Sequence, residues 1–196
     1  MVETPDWIET VGARALDRRP FAAKKRRHPR YGLPSDVQQV RFDLRQWDGP
    51  DLPWSEDFGK GRGQVQSLDG TKPRRSCNEV EVAKRLRRAR DHAFWFSGYN
   101  PEAVPEIWRP WVRSLKGEVP DWLSTLDAKI RKRIGSPGGG MPDVVAWNDL
   151  EPLRSAVFVE CKGRRERFDK AQEDWVWAAR DVGVRLSQIA VSLRPF

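Results

Sequence analysis

The sequence predicts an α/β fold, with short buried strands set between amphipathic helices. Three observations carry this. Ser155-Ala156-Val157-Phe158-Val159 is apolar, β-branched and too short for a helix, and the turn-like run from Asn148 to Pro152 bounds it. Asp143 opens a second run of the same kind, Val144-Val145-Ala146-Trp147. Residues 168–182 place Phe168, Ala171, Trp175, Ala178, Ala179 and Val182 on one helical arc; Gly183 ends that helix, and Leu186 to Leu193 reads as a last strand.

The first strand runs into Glu160-Cys161-Lys162. Side chains alternate along a strand, so Glu160 and Lys162 share one face and Cys161 takes the other. The two strands are joined by a short connection and can lie antiparallel, which brings Asp143 beside Glu160. Carboxylate oxygens are hard ligands that suit Mg²⁺, with Mn²⁺ able to substitute. Such an ion polarises a phosphoryl oxygen and lowers the pKa of an attacking water, and a lysine alongside meets the charge that develops. The plain alternative for Glu160 and Lys162 is a salt bridge at a strand end. Gln172 falls within the apolar arc of its helix, where a buried amide needs partners.

Residues 76–93 read as a helix capped by Ser76 or Asn78. Val82, Ala83, Leu86, Ala89 and Ala93 make its apolar arc, and Glu79 sits in the middle of it. Glu81 lies opposite, beside Lys84, Arg85 and Arg88, as a solvated charge with arginine support one turn on. Arg90 intrudes on the apolar arc. Phe94-Trp95-Phe96 reads as a short strand. A Trp- and Pro-rich segment follows, and then a helix from Asp121 to Ile134 with basic residues at its C-terminal end, as the helix dipole favours.

The chain has 196 residues, a net charge of +8 and a sequence pI near 9.9. That balance favours a polyanionic partner. No stretch approaches the roughly 20 apolar residues of a membrane span, and the acidic start lacks the apolar run of a signal peptide. The two cysteines, Cys77 and Cys161, read as free thiols of a reducing compartment, and no Cys/His pattern points to zinc. Between Gly12 and Tyr31 eight basic residues, among them Lys24, Lys25, Arg26 and Arg27, stand against one acid, Asp17. They read as a phosphate-binding arm or a solvated tail. Val37 to Leu44 has the partial alternation of a strand, and a loop-rich connection follows it. Residues 1–75 are expected to wrap the core rather than form a second independent domain. Arg164 and Arg165, in the turn after Lys162, are further candidates for phosphate contacts.

Pro142-Asp143 followed by Glu160-Cys161-Lys162 resembles the signature of the PD-(D/E)XK nuclease superfamily. The details Gly140-x-Pro-Asp, Phe158-Val-Glu-x-Lys-Gly163 and Gln172-x-x-Trp175 followed by Gly183 are similar to its virus-type replication-repair nuclease (VRR-NUC) branch. The resemblance implies a restriction-endonuclease-like αβββαβ core with a mixed sheet, spanning residues 76–196, with the basic N-terminal extension added. Residues 97–135 then form an insertion longer than compact members carry. It implies a Mg²⁺-dependent DNA endonuclease acting on junctions or flaps. Asp143, Glu160 and the Cys161 carbonyl would hold the metal, with Glu79 in support, Lys162 on the water and Gln172 aligning Lys162 or the water. The partners expected are DNA, a second copy of the chain, for which the outward Trp177 is a marker, and a further protein of a DNA-processing or defence complex. The expected location is the cytoplasm, with the nucleoid if the cell is bacterial. The competing reading is a DNA-binding or assembly protein that has kept the fold without activity; a basic RNA-binding module has only charge and aromatics behind it.

Overall fold

The computed structural model describes residues 5–16, 33–34, 37–42, 78–97, 106–117, 119–135, 140–162 and 168–193. Lys24, Lys25, Arg26, Arg27, Arg164, Arg165 and Cys77 lie outside the described residues. In chain order the elements are α1 (Asp6–Thr10), β1 (Ala13–Ala15), β2 (Gln38–Phe42), α2 (Asn78–Leu86), β3 (His92–Ser97), a 3-10 turn (Glu106–Trp111), β4 (Val112–Ser114), α3 (Asp121–Ile134), β5 (Val144–Trp147), α4 (Pro152–Ser155), β6 (Val157–Lys162), α5 (Lys170–Asp181), a 3-10 turn (Leu186–Gln188) and β7 (Ile189–Leu193).

One mixed seven-stranded sheet runs in the order β1-β2-β7-β6-β5-β3-β4. The core predicted from sequence is present as α2, β3, β5, β6, α5 and β7. β5 pairs antiparallel with both β3 and β6, whereas β6 pairs parallel with β7 through the α5 crossover. A parallel neighbour requires such a crossover, so α5 is carried across one face of the sheet. The described part of the N-terminal region adds β1 and β2 to the β7 side of the same sheet.

Strand alternation sorts the core into two layers. Val157, Val159 and Cys161 of β6 join Val144 and Ala146 of β5 on one face, under Val80, Val82, Ala83 and Leu86 of α2. Phe158, Val145 and Trp147 face the other way, against Leu123, Leu126 and Ile130 of α3 and Trp175, Val176 and Ala179 of α5. All six residues of β6 are buried, which fits a central strand covered on both faces.

Some boundaries differ from those the sequence predicts. The helix expected over 76–93 ends at Leu86, and Ala93 belongs to β3. Ala93 instead pairs across the sheet with Ala146. Arg90 is not on the helix: its Nε donates to the Ser155 carbonyl at 2.8 Å. Glu81 pairs with Lys84 at 2.8 Å, three residues on. Ser155 closes the single helical turn α4 rather than opening a strand, because its hydroxyl donates back to the Glu151 carbonyl at 2.8 Å. Leu186 to Gln188 are a 3-10 turn, and the last strand starts at Ile189. Of the insertion, the described residues hold β4, which extends the sheet beside β3, and α3, which covers it.

Candidate active site

The β5–β6 register matches Val144 with Val159 and Val145 with Phe158, so one step further sets Asp143 opposite Glu160. Asp143 stands just outside the ladder. Its Oδ2 accepts the Cys161 backbone N–H at 2.8 Å, where a longer β5 would have supplied a carbonyl. The N–H and C=O of a strand residue leave the same edge, so the Cys161 carbonyl is directed to the side where Asp143 stands. The Asp143 carbonyl in turn accepts the Phe96 N–H at 2.8 Å, tying the acid to β3.

On the α5 face Glu160 and Lys162 are buried together, at 5 % and 7 % exposure. Lys162 Nζ lies 2.8 Å from Glu160 Oε1 and donates to Gln172 Oε1 at 2.7 Å. Gln172 Nε2 donates to the same Glu160 oxygen at 2.5 Å. These three side chains close a triangle between β6 and the first turn of α5. The Phe168 ring centroid lies 5.0 Å from Lys162 Nζ and forms a further wall. A gap too small for a water molecule lies here, with Gly140, Pro142, Glu160, Phe168 and Gln172 on one side and the apolar Val176, Ile189, Ala190 and Val191 completing its wall.

Buried carboxylates with like neighbours hold their protons more tightly. Burial, then Glu160 and Glu79, push Asp143 well above the usual carboxylate range, against the opposing pull of the Cys161 N–H and Lys162. Burial also raises Glu160; Lys162 opposes this, while Glu79 and Asp169 add to it. Glu79 enters from α2, on the opposite layer, yet its charge reaches both acids. Four carboxylates, those of Asp143, Glu160, Glu79 and Asp169, thus stand against the one ammonium of Lys162, and that imbalance is the condition a divalent cation relieves. Among the described residues, no group of three or more His, Cys, Asp or Glu side chains is close enough to hold a metal ion. A metal ion placed here would have the Asp143 and Glu160 carboxylates, backbone carbonyl and water as its oxygen donors, the hard oxygens that Mg²⁺ takes.

The sequence reading did not single out the cap of α5 or the packing of Gly140 against that helix. Asp169 caps α5 through a capping box with Gln172, and the Asp-x-x-Gln spacing ahead of an apolar helix is the signal for it. Gly140, at φ +96, lies so close to α5 that an added Cβ would stand 2.4 Å from the Ala171 carbonyl oxygen.

No curated protein matches the chain. The family model of the VRR-NUC domain matches residues 84–192, more than half of the chain. The match takes in Asp143, Glu160, Lys162 and Gln172 and begins within α2, after Glu79. With that match and this fold, the chain belongs to the VRR-NUC family, whose domain is a PD-(D/E)XK-like nuclease domain.

Proposed function

We propose that the protein is a metal-dependent endonuclease that hydrolyses DNA phosphodiester bonds in junctions or flaps. The observation that carries this reading is the meeting of Asp143 and Glu160 across neighbouring strands with Lys162 beside them. Asp143, Glu160 and the Cys161 carbonyl would hold Mg²⁺, and Glu79 would support its water shell. Bound there, the ion would polarise the scissile phosphate and lower the pKa of an attacking water. Lys162 orients that water and offsets the negative charge that builds on the phosphoryl oxygens. Gln172 holds Lys162 in place. Arg164, Arg165 and the basic arm at Lys24, Lys25, Arg26 and Arg27 contact backbone phosphates, which position DNA without reading its sequence. Residues 1–75 act as the basic extension of a 76–196 core, and the protein works as a homodimer, with a further protein in a DNA-processing or defence complex. Its place is with DNA in the cytoplasm, at the nucleoid if the cell is bacterial.

One observation favours a second reading, a DNA-binding or assembly protein without activity. Glu160 already has Lys162 as a counter-ion in a closed, buried pair. Cleavage of plasmid, linear, flap and four-way-junction DNA, with Mg²⁺, Mn²⁺ or EDTA, separates the two. The nuclease reading expects metal-dependent cutting that Asp143→Ala and Lys162→Ala abolish while DNA binding persists. Metal-independent binding with no cutting of any substrate would overturn it.

A further inference from the structure

The carboxamide of Gln172 makes three polar contacts that agree on one orientation. Its Oε1 accepts from Lys162 Nζ at 2.7 Å and from the Asp169 backbone N–H at 3.2 Å. Its Nε2 donates to Glu160 Oε1 at 2.5 Å. An ammonium and a backbone N–H are donors only, and an ionised carboxylate is an acceptor only. Turning the amide over would set NH₂ against both donors and an oxygen against the carboxylate, so all three contacts would fail together. The Asp169 N–H is held where it is because Asp169 Oδ1 accepts the Gln172 N–H at 2.9 Å, closing the cap.

We propose that Asp169 is a positioning residue of the site, acting through the helix cap to fix which end of the Gln172 amide faces Lys162. The proposal rests on the nuclease reading of Lys162 and Gln172 for its effect on cleavage, but not for the orientation itself. Gln172 serves the cap and the site with the same oxygen. The helix start is thereby joined to the lysine: a loosened cap frees the amide to turn, and a turned amide repels the ammonium. Asp169 is exposed, and beside this route its charge also bears on Glu160; Asp169→Asn removes that charge and keeps the cap, so it separates the two.

The test uses full-length protein carrying Asp169→Asn, which keeps a capping oxygen without the charge, Asp169→Ala, which removes the cap, and Gln172→Ala. Hydrogen exchange of the Gln172 side-chain amide, assigned by its loss in Gln172→Ala, is measured by NMR well below the melting transition. Exchange should quicken about 10-fold in Asp169→Ala and stay as in wild type in Asp169→Asn. Unchanged exchange in Asp169→Ala overturns the proposal. In cleavage assays Asp169→Ala should lower kcat about 10-fold with little change in KM, Asp169→Asn should restore it, and Asp169→Ala should add nothing to Gln172→Ala. An equal loss in the Gln172→Ala background, or Asp169→Asn as slow as Asp169→Ala, overturns it as well. If wild type cuts no DNA with Mg²⁺ or Mn²⁺, the nuclease reading fails, and the exchange measurement alone decides the role of Asp169.

Discussion

Asp143 accepts the backbone N–H of Cys161, so the first acid of the site is held by the residue between the second acid and the lysine. The bond stands where the β5–β6 ladder stops, and it makes the carboxylate a structural partner as well as a charge. Asp143→Asn keeps an oxygen for that N–H and removes the charge. In EDTA its melting temperature should rise by about 2 °C or more, the shift that roughly 1 kcal/mol produces at this size. Asp143→Ala should melt lower than wild type, because it leaves the N–H without that acceptor. Both should lose cleavage. Thermal unfolding of the three proteins side by side is the check; an asparagine variant that melts with the alanine one would show that the charge carries no strain.

The raised acids give the metal-free protein a pH dependence of definite sign. Unfolded, Asp and Glu titrate near their ordinary values of about 3.9 and 4.3. Folded, Asp143 and Glu160 hold their protons to higher pH. The folded state therefore binds more protons across that window, and stability falls as pH rises. The contribution is fully present below the unfolded values and is lost as pH passes through the folded ones. Urea unfolding in EDTA should show a lower midpoint at pH 8 than at pH 5 from these groups, and Mg²⁺ should narrow the gap. Asp143→Asn should flatten the profile, which assigns the effect to this pair.

Gly140 and Gly183 offer a matched comparison. Both have positive φ, +96 and +100, but only Gly140 is pressed against another element. Gly183→Ala should cost about 1 kcal/mol from backbone conformation alone. Gly140→Ala adds a clash with the Ala171 backbone carbonyl that no rotamer relieves, and should cost about 3 kcal/mol or more. Since Gly140 leads into Asp143 and Ala171 precedes Gln172, its cleavage should fall further than its folded fraction explains. Denaturant melts with cleavage at matched folded fraction test both parts.

Glu79 acts on the acids through its charge, from the opposite layer of the sheet. Glu79→Gln should raise the Mg²⁺ concentration for half-maximal cleavage about 10-fold and leave the saturated rate less affected. A metal titration of cutting reads this. An unchanged midpoint would place Glu79 outside the metal's surroundings.

Where one physical signal dominated, the sequence told the structure well. β5 and β6 are runs of apolar β-branched residues broken abruptly by Asp143, Glu160 and Lys162, and period-two alternation put the last two on one face. Gln172 could be seen pointing inward by its angle on the helix. The end of α2 was hidden because Ala89 and Ala93 continue its apolar arc by chance of spacing; Ala93 is buried by cross-strand pairing instead. β2 showed as the partial alternation over Val37 to Leu44, but β1 was obscure for another reason. It is three residues long, and it owes its place to the antiparallel ladder with β2, a contact that lies farther along the sequence. The contact of Gly140 with Ala171 is of the same non-local kind.

The β5–α4 connection turns at the end of the sheet away from Asp143, and Leu150 at its tip is 97 % exposed. A fluorophore, an affinity handle or a surface tether can therefore be attached at that tip without sharing space with the acids. Within β5 a single inserted residue would rotate Asp143 to the wrong layer. The same hairpin thus has one end that tolerates engineering and another that tolerates none.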